Sequence, residues 1–400
     1  MEEWKKYKLG DICTKIGSGA TPKGGKEAYL GGNISLIRSQ NVLDFTFSED
    51  GLAYINDEQA NKLKNVEVKE NDVLLNITGD SVARACIVPN AILPARVNQH
   101  VAIIRGDNSV VLNEFILYAL QYKKQYLLSI SQGGGTRNAL TKKMIEDFII
   151  NLPSLPTQQK IANILSSIDD KIEVNRRINE QLEELAGALF KSWFVDFEPF
   201  KDGEFVESEL GMIPKGWKVG NLLDVTTLYD SMRKPLSGRE RDAMEKVYPY
   251  YGATSIMDYV DKYIFDGIYL LMGEDGSVVD DKGFPILQYV WGKFWPNNHA
   301  HVMQGKNGFT TEMLHCLLSI TNVKSVVTGA VQAKISQMGM KKIKIVIAPN
   351  KLLEDFSMKI APIYDKIRAN LDEIHHLTTL RDTLLPKLMS GEIDVNEVEI

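Results

Sequence analysis

The sequence predicts an α+β fold in which two mixed α/β domains are separated by two long antiparallel coiled-coil helices and related by an internal pseudo-twofold repeat. Three observations predict it. The 400 residues suffice for two or three hydrophobic cores. Short patterns recur about two hundred residues apart, a period that suits two copies of a domain plus a helix rather than a solenoid. In each copy, apolar residues then step by three and four along a long helical stretch. The expected layout is a first domain at 1–155, a first helix at 156–196, a linker at 197–211, a second domain at 212–348, and a second helix with a tail at 349–400.

The repeat rests on three matches. Trp4-Lys5-Lys6-Tyr7-Lys8-Leu9-Gly10-Asp11 resembles Trp217-Lys218-Val219-Gly220-Asn221-Leu222-Leu223-Asp224. Asp72-Val73-Leu74-Leu75 resembles Ile268-Tyr269-Leu270-Leu271, and Asn98-Gln99-His100-Val101 resembles His299-Ala300-His301-Val302. The helical stretch matches best. A shift of 195 residues lays Leu165, Ile168, Ile172, Asn175, Leu182, Leu185 and Leu189 on Ile360, Ile363, Ile367, Asn370, Leu377, Leu380 and Leu384, and Asp170-Lys171-Ile172 on Asp365-Lys366-Ile367.

The three-four spacing is a heptad seam, so these helices are built to pair. Prolines mark their starts, Pro153 and Pro156 before the first and Pro349 before the second, which is expected to end near Pro386 or Gly391. At 1.5 Å per residue each spans roughly 50 Å. Asn175 and Asn370 fall near the midpoints, so an antiparallel pair brings them opposite each other in an apolar seam. Buried amides there penalise slipped registers; the alternative is that each faces solvent. Outside the helices, short β-like runs broken by turn residues, such as Asn33–Ile37, Val73–Ile77, Val101–Ile104 and Lys341–Ile347, read as irregular sheets with long loops.

Charge refines the picture. The net charge is -6, but the two domain segments carry +1 and +3 while the helices and linker are acidic. Phosphate contact depends on local rather than total charge, so a DNA-facing surface on the domains is compatible with an acidic chain. The N-terminus lacks an apolar leader and no long apolar run follows, which predicts a cytoplasmic protein without membrane association. Cys13, Cys86 and Cys316 are far apart and form no metal-ligand or disulfide pattern; buried reduced thiols are expected.

Catalytic signatures are missing from the sequence. There is no Pro-Pro pair, as an amino-methyltransferase motif requires, and no GxxxxGK[ST] phosphate loop. Gly17-Ser18-Gly19 and Gly133-Gly134-Gly135 do not complete GxGxxG and read as turns. The six histidines show no HExxH or Cys/His spacing; His375-His376, like Asp169-Asp170 and Glu183-Glu184, is expected on a solvated helix face. No metal site is expected.

Leu189-Phe190-Lys191-Ser192-Trp193-Phe194-Val195-Asp196-Phe197-Glu198-Pro199-Phe200, followed by Gly211-Met212-Ile213-Pro214-Lys215-Gly216-Trp217, closely resembles the central junction of specificity (S) subunits of type I restriction–modification systems. The resemblance covers the whole chain, from the opening Trp-x-x-x-x-Leu-Gly-Asp to Leu384-Leu385-Pro386-Lys387-Leu388-Met389-Ser390-Gly391-Glu392-Ile393. The helix starts depart from it: Pro156-Thr157-Gln158-Gln159 and Pro349-Asn350-Lys351-Leu352 stand where the family often has Pro-x-x-Glu-Gln. The resemblance implies a subunit without catalysis of its own. Each domain would be a target recognition domain reading one half of a bipartite, asymmetric site in double-stranded DNA. The helices would set the spacing and dock two methyltransferase subunits, with restriction/translocase subunits in the full complex. This chain would bind no cofactor; S-adenosylmethionine, ATP and magnesium would belong to the partners. Methylating a base requires flipping it into a pocket, which a partner would provide.

Base readout needs Arg or Lys for guanine and Asn or Gln for adenine, so loops carrying these types beside glycines are the candidates. In the first domain they are Ser18, Thr21 and Lys23; Arg38, Gln40 and Asn41; and Gly134, Gly135, Thr136, Arg137 and Asn138, with Arg38 and Arg137 foremost. In the second they are Tyr251, Gly252, Thr254 and Ser255; Glu274 and Asp275; and Thr328, Gly329, Gln332 and Lys334. Two rivals compete: a coiled-coil adaptor binding proteins only, and a self-contained nuclease or methyltransferase.

Overall fold

The computed structural model describes residues 4–22, 29, 31–132, 138–329 and 332–395. It divides into two compact units, 1–176 with 372–400 and 177–371, each taking half of each long helix.

In the first unit, β1 (Lys5–Lys8) pairs with β10 (Ile149–Leu152). A four-stranded sheet runs β2 (Cys13–Ser18), β9 (Val101–Gly106), β6 (Val73–Asn76), β7 (Ala85–Ile87), all antiparallel. A second runs β4 (Ala53–Ile55), β3 (Ile34–Ile37), β8 (Ala95–Val97), β5 (Glu67–Val68), with the β3–β8 pair parallel. Strand β6 is Val-Leu-Leu-Asn and buried throughout, which a central strand covered on both faces requires. One face joins the core with the Asn113–Tyr122 helix, and the other joins a second core under β3 and β8.

The second unit repeats this strand for strand. β13 (Lys218–Asn221) pairs with β22 (Lys344–Ile347). One sheet runs β14 (Thr226–Leu228), β21 (Ala300–Gly305), β18 (Tyr269–Gly273), β19 (Leu287–Val290). The other runs β16 (Ile256–Val260), β15 (Tyr248–Tyr251), β20 (Lys293–Pro296), β17 (Phe265–Asp266), again with one parallel pair, β15–β20. A hairpin of β11 (Phe205–Ser208) and β12 (Gly211–Pro214) begins in the expected linker and runs into the expected second domain.

The ladders correct the register of two sequence matches. Asn76 faces Val101 and Gly273 faces Ala300, so Val101 corresponds to Ala300 and Val73 to Leu270. The expected alignments were slipped by two residues and by one. A short apolar run cannot fix its own register; the cross-strand partners do.

The long helices are Leu155–Phe194 and Asn350–Ser390. Helix two passes through Pro386 and stops at Gly391, whose φ of +77° suits glycine; the Ile393 N–H then closes on the Lys387 carbonyl at 3.2 Å. Within each unit the halves run antiparallel. In the first, the Arg381 guanidinium donates to Asp169 at 3.0 Å and the Asn175 amide to Glu373 at 2.8 Å. In the second, the Asn370 amide donates to Asn179 at 2.8 Å, and the Phe190 and Phe356 rings meet edge to face at 5.8 Å.

Asn175 and Asn370 are both fully buried, so neither faces solvent. Their partners are Glu373 and Asn179 rather than each other, because the antiparallel pairing meets one heptad step beyond the asparagines. Leu185 and Leu380, expected on the seam, are exposed; Ala186 and Arg381 take those steps with their side chains enclosed. Asp169 departs from its expected solvated face: it accepts from Tyr118 at 2.8 Å as well as from Arg381. In the second unit Tyr364, which the 195-residue shift places on Asp169, bonds His315 at 2.7 Å, so the same joint is built from different chemistry. The Ser192-Trp193-Phe194 helix end packs into an aromatic cluster with Phe200, Trp217 and Phe356. No helix among the described residues is long and apolar enough to cross a membrane.

Candidate nucleic-acid interface

In each unit the candidate loops gather at one end of the sheets, and the same backbone hydrogen bonds gather them. The turn entering β9 is anchored where the Asn98 N–H meets the Ile37 carbonyl at 3.0 Å; the turn entering β21 has Asn297 N–H to Tyr251 at 2.9 Å. Ile77 N–H bonds His100 at 3.0 Å, and Glu274 N–H bonds His299 at 2.8 Å. Leu140 N–H reaches Ile77 at 2.8 Å, as Ile335 N–H reaches Glu274 at 2.9 Å. Gly79 N–H bonds Asn138, and Gly276 N–H bonds Ala333, at 3.0 and 2.9 Å. Four loops per unit are therefore tied together by main-chain bonds that do not depend on side-chain identity. Their exposed side chains are free to differ.

The first-unit candidates divide by burial. Ser18, Thr21 and Gln40 are exposed, and Asn138 is half-buried. The Thr21 hydroxyl donates to the Gln99 side chain, while Gln40 donates to the Asp50 carbonyl at 3.1 Å. Arg38 is partly committed: its guanidinium donates to the Gly51 carbonyl and lies 5.9 Å from the Tyr29 ring centre. Asn41 is fully buried, accepting from the Arg38 N–H at 3.0 Å and donating to Ser48 and Asp50, so its amide shapes the loop instead of facing a base. Lys23, Gly134, Gly135, Thr136 and Arg137 lie outside the described residues.

In the second unit, Thr254, Ser255, Thr328, Gly329, Gln332 and Lys334 are exposed. Gly252 N–H bonds Ser255 at 2.8 Å in a tight turn, and Tyr251 packs edge to face on Phe294 at 5.7 Å. Thr328 and Lys334 exchange main-chain bonds at 2.9 and 2.7 Å around Gly329, whose φ of +92° and close approach to the Gln332 carbonyl exclude a side chain.

Glu274 is a structural hub. Its carboxylate accepts from Arg233 at 2.7 Å and pairs with Lys334 at 3.1 Å. Burial opposes ionisation of this carboxyl, but the Arg233 hydrogen bond and nearby positive charge outweigh it and hold it below the usual range. Asp230 behaves likewise: burial is overcome by His301, which lies at 2.6 Å, by the Val302 N–H and by Gln337. The side-chain ligand atoms of Asp230, Glu274 and His301 lie within 4.8 Å of one another, but Arg233 and Lys334 already balance the carboxylates. Asp275 is engaged by His299.

The same loop ends also carry Thr78, Gln99, His100, Arg233, Asn298 and His299, which were not among the sequence candidates. The strand ladders bring the two turns into register, with Asn98-Gln99-His100 on Asn297-Asn298-His299. A 680 Å³ cleft lined by Lys69, Asp107, Glu114 and Gln159 lies near Gly106, at the other end of β9.

The family model described as "Type I restriction modification DNA specificity domain" matches residues 1–184 and 214–378. The chain belongs to this family. Its two matched stretches fall one on each sheet-rich repeat. Among similar members of the specificity family, the type I restriction enzyme MjaIX specificity subunit of Methanocaldococcus jannaschii is 30% identical, over 99% of this chain and 95% of that protein. The HindI specificity subunit of Haemophilus influenzae is 24% identical, over 98% of this chain and all of its own length. The crystal structure of the S subunit from M. genitalium shares the fold, with a TM-score of 0.58 at 16% identity, covering 97% of this chain and 96% of that one.

Proposed function

We propose that this specificity-family chain recognises a bipartite, asymmetric site in double-stranded DNA, each unit reading one half, and presents it to partner subunits that act on it. Two methyltransferase subunits dock on the long helices and supply the S-adenosylmethionine chemistry. Restriction/translocase subunits, with ATP and magnesium, join in the full complex. The chain itself carries out no reaction. The supporting observation is the loop cluster built twice by the same main-chain bonds with different exposed side chains. That is what two readers of unlike half-sites need, since fixed scaffolds position base-reading groups while the side chains specify the sequence.

The test is a map of methylated adenines in host DNA with the gene intact and deleted. The expected result is one two-part motif that loses methylation on deletion. A motif unaffected by deletion refutes the reading. Binding of the purified complex to duplex DNA at two salt concentrations supplies a second check, because phosphate neutralisation makes affinity fall steeply with salt. Absence of a salt-sensitive association with the duplex points instead to an adaptor that binds only proteins.

A further inference from the structure

We propose that Gln99 and Asn298 are equivalent base-reading residues, each recognising an adenine-containing base pair in its own half-site. This assignment rests on the DNA-reading function above and adds residues that the candidate loops did not include.

Both residues occupy the middle of the same turn. The buried Asn98 side chain accepts the His100 N–H at 2.9 Å, and the buried Asn297 side chain accepts the His299 N–H at 2.8 Å. Main-chain bonds clamp the first residue of each turn to Ile37 or Tyr251, and the third to Ile77 or Glu274. With both ends fixed, the middle side chain is the group directed outward, and Gln99 and Asn298 are both exposed. Neighbouring loops differ between the units: Arg38-Ser39-Gln40 ends β3 where Gly252-Ala253-Thr254 ends β15. A carboxamide followed by histidine is nevertheless kept at this tip. An exposed side chain contributes little to packing, so burial does not explain the choice.

The chemistry fits an adenine edge. A carboxamide sets one donor beside one acceptor, the complement of adenine N7 and N6 in the major groove, and its lack of charge makes it a poor phosphate anchor. The two sites differ in preparation. Gln99 is oriented by a chain of contacts: the Thr21 hydroxyl donates to its Oε1, its Nε2 lies 3.1 Å from His100 Nε2, and His100 Nδ1 lies 2.6 Å from the Thr78 hydroxyl. The Asn298 side chain has no hydrogen-bond partner among the described residues, while the adjacent His299 is held by Asp275. A preorganised group loses less freedom on binding, so Gln99 should discriminate more strongly.

The experiment compares the complete methyltransferase complex carrying the wild-type chain, Gln99→Ala or Asn298→Ala. Methylated motifs are mapped in cells, and the purified complexes are titrated with duplexes in which each base pair of the motif is varied. Gln99→Ala is expected to relax preference at one A·T pair in one half-site, cutting discrimination there by about 5- to 150-fold. Asn298→Ala does the same, more weakly, in the other half. Unchanged preferences, relaxation in both halves from one variant, relaxation confined to G·C pairs, or uniform weakening on every duplex each overturns the assignment. If the wild-type chain itself directs no two-part motif, the DNA-reading function falls and takes this assignment with it. If the wild-type motif stands and the variants leave it intact, only the assignment falls.

Discussion

Arg381→Met should cost the first unit about 3–5 kcal/mol, the range for removing one partner from an enclosed ion pair. The magnitude follows from what the guanidinium touches. It donates to Asp169 at 3.0 Å and to Asp382 at 2.9 Å, and it lies 3.9 Å from the centre of the Phe45 ring. The Arg381 and Asp169 side chains are 11% and 15% exposed, so losing the cation strands a carboxylate away from water. Asp382 is 58% exposed and contributes little, about 0–1 kcal/mol. The methionine keeps most of the packing volume, which isolates the charge. For a unit of about two hundred residues, each kcal/mol shifts the midpoint by about 2–4 °C, giving a fall of roughly 6–20 °C. Hydrogen exchange of the β6 and β9 amides alongside a thermal melt localises the loss to this unit. Asp169→Asn combined with Arg381→Met should recover at least half of it. Burial raises the Asp169 carboxyl above its ordinary value despite Arg381 and Tyr118, so its folded state takes up a proton where the unfolded chain has lost one. The single variant should therefore regain stability as pH falls toward that raised value. A loss under about 1 kcal/mol, or a double variant no more stable than the single, refutes the argument.

Burial pushes His315 down to about 4, so the folded second unit keeps the ring neutral where the unfolded chain protonates it. Its contribution is complete above about pH 6.5 and declines as pH drops toward 4, by about 1–3 kcal/mol once the half-buried setting of the residue is allowed for; His315→Gln should flatten that slope in a pH series of melts. Arg137→Ala is expected to weaken binding to the cognate duplex while the methyltransferase complex still assembles on a sizing column; unchanged affinity at moderate salt removes it from the interface. Exchanging residues 1–150 for those of a relative should change one half of the methylated motif, and a change in both halves contradicts one reader per repeat.

The sequence alone determined that the chain is written twice, that two helices of about forty residues pair through heptad seams, and which family it joins. These features are encoded locally: the three-four spacing from Leu165 to Ile172 and from Ile360 to Ile367 needs no knowledge of what lies across the seam. Tertiary structure decided what depends on partners distant in the chain. The apolar runs at β6 and β18 fit several registers equally well, and only their pairing with β9 and β21 laid Gln99 on Asn298. Asn41 and Gln99 look alike in sequence, polar amides in loops; one is fully buried among the carbonyls of 48–50 and the other is exposed on a clamped turn. Asp169 and Asp170 are neighbours, yet one points at Arg381 and Tyr118 while the other meets water, because adjacent helix positions face different directions. Side-chain type sets what a residue is able to bind, and packing decides whether it is offered.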